Sequence, residues 1–216
     1  MSIKQIAAVL ASFLVYTAAY SAPLTPMQQS AKERGITLYN QHKAISAEPF
    51  LEIAASARDR EAQYYLGEAL RLNNRHMTKD AHNWYTAAAE QGDLYAMRRL
   101  SSTQSDLCIA MGNCPNGLKS PEDWHQKLLS TATPLAEKGD GEAMYLLYHA
   151  TNEIDWLEKS AVTGYAHAQF WLALRYMEGK KFFLFPWERY EATEDLLRKS
   201  AEGETPKESQ STTEVS

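Results

Sequence analysis

The stretch that decides the fold reads Glu61-Ala62-Gln63-Tyr64-Tyr65-Leu66-Gly67 and then, after a polar turn from Asn73 to Lys79, Asp80-Ala81-His82-Asn83-Trp84-Tyr85-Thr86-Ala87-Ala88-Ala89-Glu90-Gln91-Gly92-Asp93. Ala62, Tyr65, Leu66, Ala69 and Leu70 share one face of a 3.6-residue period, as do Ala81, Trp84, Tyr85 and Ala88, so the spacing predicts two amphipathic helices joined by a short turn. Small residues at Ala62, Gly67, Ala81 and Ala88 let the two helices approach closely, with aromatic rings filling the remaining space. The same string returns as Leu135-Ala136-Glu137-Lys138-Gly139-Asp140-Gly141-Glu142-Ala143-Met144 and as Ser160-Ala161-Val162-Thr163-Gly164-Tyr165-Ala166-His167-Ala168-Gln169. A less regular copy precedes it at Ala54 to Gln63, and a half copy, Ser200-Ala201-Glu202-Gly203, closes the series. Such self-similarity is the mark of stacked helix pairs, each unable to bury its apolar face alone.

With the glycine position as marker, the copies fall at 58, 92, 139, 164 and about 203, spaced 34, 47, 25 and 39 residues apart. The long interval carries an insertion at about 101–121 that holds Cys108, Cys114 and Pro115, while the short one runs Ala143 to Ala150 almost directly into Asn152 to Val162. About four helix pairs follow. Thr25-Pro26 with Gln28, and Ser120-Pro121 with Asp123, predict helix starts by capping. Pro134, inside the run from Glu122 to Lys138, predicts a kink or a break.

The 216 residues carry 22 basic and 27 acidic side chains, a net charge of −5, and no run of basic residues, which argues against a nucleic-acid partner. Lys4, the apolar run Ile6 to Val15 and small residues at Ala18, Ala19, Ser21 and Ala22 have the layout of an export signal over residues 1–21. That run reaches about 14 residues, short of the ~20 that cross a bilayer, so no integral membrane segment is expected after cleavage. Export is expected to place the chain in an oxidising compartment. There Cys108 and Cys114 read most simply as a local disulfide, free thiols being the alternative. Residues 204–216 are polar, lack apolar periodicity and read as a disordered tail.

Over residues 54 to 97, with Ala, Leu-Gly, Trp-Tyr and Ala-Ala-Glu-x-Gly in order, the pattern resembles the Sel1-like repeat, a relative of the tetratricopeptide repeat. The likeness implies an all-α, right-handed α-solenoid of helix-turn-helix repeats over residues 22–203 that holds other proteins on a curved surface. It thins where Leu146-Leu147 and Leu172-Ala173 replace Leu-Gly and Arg58 replaces the turn glycine. The layout of signal, Ala22-Pro23-Leu24-Thr25-Pro26 start, cysteine insertion and late Gly179-Lys180-Lys181-Phe182-Phe183-Leu184-Phe185-Pro186 segment is similar to periplasmic Sel1-like immunity proteins. Those neutralise type VI secreted phospholipases of the phospholipase D type. That resemblance implies a non-enzymatic binder whose protein partner is a secreted phospholipase toxin. A periplasmic scaffold or regulator of envelope proteins is the alternative, and a cell-envelope hydrolase a remote one. The immunity proteins continue through further repeats, whereas this sequence passes into its polar tail after Gly203.

No catalytic or metal-binding arrangement is legible. The six histidines are scattered and none lies in an HExxH helix, no glycine-rich phosphate loop is present, and neighbouring carboxylates such as Glu122 and Asp123 point to different helix sides. No cofactor is expected. His149 and Glu153 are four apart, but Thr151-Asn152 is expected to end the helix between them. Partner contact is expected instead at Phe182, Phe183, Phe185 and Trp187, where a polar loop would be ordinary, and at Arg71, Arg98, Arg99 and Arg175 on the first helices of successive units, beside Glu68 and Glu178. The aromatic segment has two competing roles, a cap on the end of the solenoid or an anchor for a partner, with membrane contact a weaker third.

Overall fold

The computed structural model describes residues 23–102, 107, 111–112 and 119–203. The expected leader, both cysteines of the expected disulfide and the expected tail lie outside the described residues. Among the described residues there are ten helices and no strand. They pair along the chain: α1 (Pro26–Asn40) with α2 (Ala44–Ser56), α3 (Arg60–Asn74) with α4 (Lys79–Glu90), α5 (Leu94–Ser101) with α6 (Pro121–Ala136), α7 (Gly141–Thr151) with α8 (Ile154–Val162), and α9 (Ala166–Met177) with α10 (Pro186–Gly203). Each helix packs on its neighbours in sequence, and first helices also touch across units, α1 on α3, α5 on α7 and α7 on α9. The fold is an all-α solenoid. It has five pairs where about four were expected, because the markers at 58, 92, 139 and 164 are the turns between pairs, and four turns separate five units.

Local chemistry explains why one helix stops and the next begins at each turn. Arg58, Gly92, Gly139 and Gly164 all adopt positive φ, at 65°, 91°, 93° and 88°, the left-handed residue that closes a helix C-terminus. In the first three turns the residue that follows is an aspartate. The Asp59, Asp93 and Asp140 N–H groups donate back to Ala54, Ala88 and Leu135 carbonyls, while their carboxylates accept from the Ala62, Ala96 and Ala143 N–H groups at 2.8, 2.8 and 2.9 Å. One Gly-Asp pair thus ends one helix and caps the next. Tyr165 stands in the fourth turn, and α9 starts without a side-chain cap.

Thr25 with Gln28, and Ser120 with Asp123, form the expected capping boxes. The expected break at Pro134 does not occur. The helix continues through it to Ala136; Pro134 and Ser130, whose carbonyl the proline leaves without its helical donor, are both exposed residues, where water is at hand. Between α7 and α8 Asn152 takes a left-handed φ of 59°, which ends α7 after Thr151 as expected. Fully buried alanines at 62, 81, 88, 96, 143 and 168 let helices approach closely, and a Cβ at Gly67 would sit 2.9 Å from the Tyr85 ring. No described helix is long and apolar enough to cross a membrane.

Candidate functional site

Glu68 and Arg71 lie one turn apart on α3. Packing α3 against α4 and α5 leaves Glu68 2% exposed, and a carboxylate there must find partners. Its Oε1 accepts from Tyr85 Oη at 2.8 Å and Arg99 Nε at 2.6 Å; its Oε2 accepts from Arg71 at 3.1 Å and Tyr39 Oη at 3.2 Å. Burial pushes the Glu68 carboxyl up, but the Arg99 and Arg71 charges and the Tyr85 hydroxyl outweigh it and hold it below the usual carboxylate range. The cluster ties α1, α3, α4 and α5 together. Arg71 and Arg99, expected on the partner face, therefore commit their guanidinium groups to an internal carboxylate.

A groove of about 550 Å³ opens beside it, crossing the N-terminal ends of α3, α5, α7 and α9 and the C-terminal end of α1. Tyr39, Tyr64, Tyr65, Tyr95 and Tyr165 wall it, and Arg60, Glu61, Asp93, Glu142 and His167 supply its polar groups. The rings brace one another: Tyr64 lies 5.4 Å from Tyr65 and 5.8 Å from Tyr95, and the Tyr95 and Tyr165 hydroxyls share a hydrogen bond across the groove. Burial raises the Tyr95 and Tyr64 phenols well above their ordinary value and pushes Tyr165 up to about 12, so none is poised to ionise. No serine, threonine or cysteine lines the groove to act as a nucleophile beside a base.

Further along the same face, the His149 ring packs edge-on to Tyr145 at 4.5 Å and to Trp171 at 5.7 Å. Burial, with the charges of Arg98 and Arg175, depresses its pKa to about 4, so it is neutral at physiological pH. Arg175 donates from Nε to Tyr148 Oη at 2.6 Å and pairs with Glu178 at 2.6 Å, its guanidinium 5.8 Å from the Trp171 ring centre. Arg98 closes the last turn of α5 and is half-buried. Of the four arginines, Arg71 and Arg99 meet at Glu68, while Arg98 and Arg175 flank His149.

The aromatic segment between α9 and α10 divides in two. Phe183 turns inward, half-buried, edge-on to Tyr176 at 5.3 Å. Phe182 and Leu184 stay 86% and 70% exposed, and Phe185 and Trp187 stack on each other, centroids 4.4 Å apart at 8°, with both rings open to solvent. Lys181 is drawn to Glu158 and Tyr176, at 3.1 and 3.0 Å. One ring therefore packs on the last unit while the others form an apolar patch at its surface.

Partner contact on the first helices was expected at Arg71, Arg98, Arg99 and Arg175, not at these tyrosines. A signal was present: the residue before the buried alanine of each first helix, Glu61, Tyr95, Glu142 and His167, lines the groove in every one of these four units. Among the described residues no set of three or more histidine, cysteine or acidic side chains is placed to hold a metal.

No protein-family model matches the chain, and no curated protein does either. Solved structures do. A Sel1 repeat protein from Oxalobacter formigenes aligns at 18% identity over 82% of this chain and 74% of its own, with a TM-score of 0.44. The c5321 protein, a protective antigen of uropathogenic Escherichia coli strains displaying an SLR fold, aligns at 23% identity over 81% of this chain and 38% of its own, TM-score 0.43. The MamA RS-1 ArsTM double mutant aligns at 15% identity over 82% of this chain and 97% of its own, TM-score 0.41.

Proposed function

We propose that this chain is a non-enzymatic, periplasmic protein-binding solenoid, and in its sharpest form an immunity protein that covers the active-site mouth of a type VI secreted phospholipase. The observation that carries the binding role is the exposed aromatic patch at the last unit. Phe182, Leu184 and the stacked Phe185 and Trp187 leave water-exposed apolar surface among the described residues, and such rings are the common anchors of protein interfaces. A preformed surface on rigid helix pairs loses little conformational freedom on binding. Steric occlusion asks no chemistry of this chain.

The test is capture from the native cell's periplasm with the chain expressed from its full sequence, followed by titration of the retained phospholipase. The immunity reading expects a phospholipase D-type toxin to be retained and inhibited at one-to-one stoichiometry. It further expects F182S/W187S to weaken capture at least thirtyfold, about 2 kcal/mol, while Phe183, which packs inward, is left in place. Recovery of envelope-assembly proteins alone would sink the immunity role and favour the scaffold; an unaffected F182S/W187S complex would remove the patch from the interface.

A further inference from the structure

The groove across the first helices is lined by three carboxylates, Glu61, Asp93 and Glu142, against one arginine, Arg60. Asp59, Asp93 and Asp140 each serve one helix N-terminus, accepting the first-turn N–H groups, and so answer the positive end of that helix dipole. Glu61 is paired with Lys32 at 2.7 Å, and Asp93 faces Arg60 at 4.0 Å. Glu142 lines the same groove with no ion pair among the described residues. Glu142 stands at the solvent edge of the groove; partial burial and the Asp140 and Asp93 carboxylates raise its pKa against a smaller pull from Arg60, and an incoming positive charge relieves that crowding of carboxylates. Around it stand the Tyr64, Tyr95 and Tyr165 rings, and tyrosine faces attract cations through their electron-rich π clouds. The space, about 550 Å³, admits a long side chain together with a short length of backbone.

We propose that this groove receives a lysine or arginine side chain of the bound polypeptide, its charge met by Glu142 and its apolar stem laid along the tyrosine rings. The idea rests on the protein-binding role above, and it adds what that role leaves open, the chemistry of the segment recognised. The acidic chain, at −5 overall, supplies a long-range field of the right sign for a basic segment. The one arginine of the lining, Arg60, faces Asp93 at 4.0 Å and Lys32 pairs with Glu61, so carboxylates outnumber cations in the groove and a basic segment suits it better than an anionic one. The groove lies on the first helices and the aromatic patch at the α9–α10 junction, so the two are separable by mutation.

The probe is a fluorescent hexa-arginine peptide, titrated in 0.15 M salt against the full chain, with hexacitrulline, the same shape without charge, as control. The expected result is saturable arginine-peptide binding, at least tenfold tighter than citrulline, that E142Q weakens five- to tenfold. Replacing Glu142 breaks no side-chain cap and gives up only a first-turn charge on α7, and far-ultraviolet circular dichroism checks that the variant is folded. E194Q, which removes the same charge from an equally exposed position on α10 outside the groove, should leave affinity within twofold, as should F182S/W187S. Equal weakening by E142Q and E194Q would reduce the effect to net charge and overturn the proposal. So would equal binding of both peptides, no binding, or binding to phosphatidylcholine vesicles in place of the arginine peptide. Failure here with successful, patch-dependent capture of a protein partner would remove this groove's role alone; peptide binding in the groove with no protein partner captured would remove the immunity role and leave the groove's chemistry standing.

Discussion

Replacing Glu68 by glutamine perturbs a carboxylate that four donors from α1, α3, α4 and α5 surround. Glutamine keeps one acceptor oxygen and puts an NH2 group where the other stood. Whichever way the amide turns, that NH2 faces two donors, either Tyr85 with Arg99 or Tyr39 with Arg71. The arginine bond on that side is lost, the tyrosine hydroxyl must reverse to accept from the NH2, and two guanidinium groups lose their counter-charge. Breaking a fully buried pair costs about 3–5 kcal/mol. Here the arginine side chains keep 29% and 23% of their exposure and rehydrate in part, so the expected loss is about 2–4 kcal/mol. For a domain of this size that is a fall in melting temperature of about 6–12 °C. Urea unfolding followed by far-ultraviolet circular dichroism, for the wild type, E68Q, R99L and the double variant, measures it. The cycle should show coupling of about 1–3 kcal/mol, because once Glu68 is neutral Arg99 has little left to lose. The Glu68 carboxyl lies below its unfolded value, so its contribution is complete above an unfolded pKa of about 4.3 and fades as pH falls through the folded one; the gap between wild type and E68Q should narrow below about pH 4. A loss under about 1 kcal/mol, or strict additivity in the cycle, would refute the cluster as a link between units.

Three further outcomes are expected. Arg58 holds a φ of 65° where its counterparts are glycines, so R58G should raise stability by about 1 kcal/mol in urea melts, and G92A should lower it by a similar amount. At Gly67 an added methyl meets the Tyr85 ring at 2.9 Å, and that ring is pinned through its hydroxyl to Glu68. G67A should therefore cost about 1–2 kcal/mol, despite alanine's better helix propensity, and a stabilised G67A would show that the α3–α4 seam yields. His149, held down to about 4 against an unfolded value near 6.5, binds its proton more readily in the unfolded chain. Its contribution is whole above pH 6.5 and lost as pH falls toward 4, about 1–2 kcal/mol after allowance for partial solvation, and H149F should flatten that part of the stability profile.

The periodicity of Ala62, Leu66, Ala81 and Ala88 and the recurring Gly-Asp string determined the helices, their pairing and the turns between units. These signals are legible because they are local: a left-handed residue followed by an aspartate ends one helix and caps the next within six residues, whatever surrounds it. Even Arg58 was marked by its place in the series, though its side chain argues against the conformation it adopts. The stacking of units decided everything that depends on what faces what. Sequence placed Arg71, Arg98, Arg99 and Arg175 on first helices, but only the distance from α3 to α5 turned Arg71 and Arg99 toward Glu68 and left Arg98 and Arg175 beside His149. Pro134 reads as a breaker in one dimension and is accommodated in three, because its helix face is in water. The aromatic segment read as one feature and became two, Phe183 packing on Tyr176 while Phe182, Phe185 and Trp187 stay exposed. The tyrosine groove needed residues from five helices, up to 128 positions apart between Tyr39 and His167. A period can place each of them on a face; only the packing of one unit on the next closes those faces into a site.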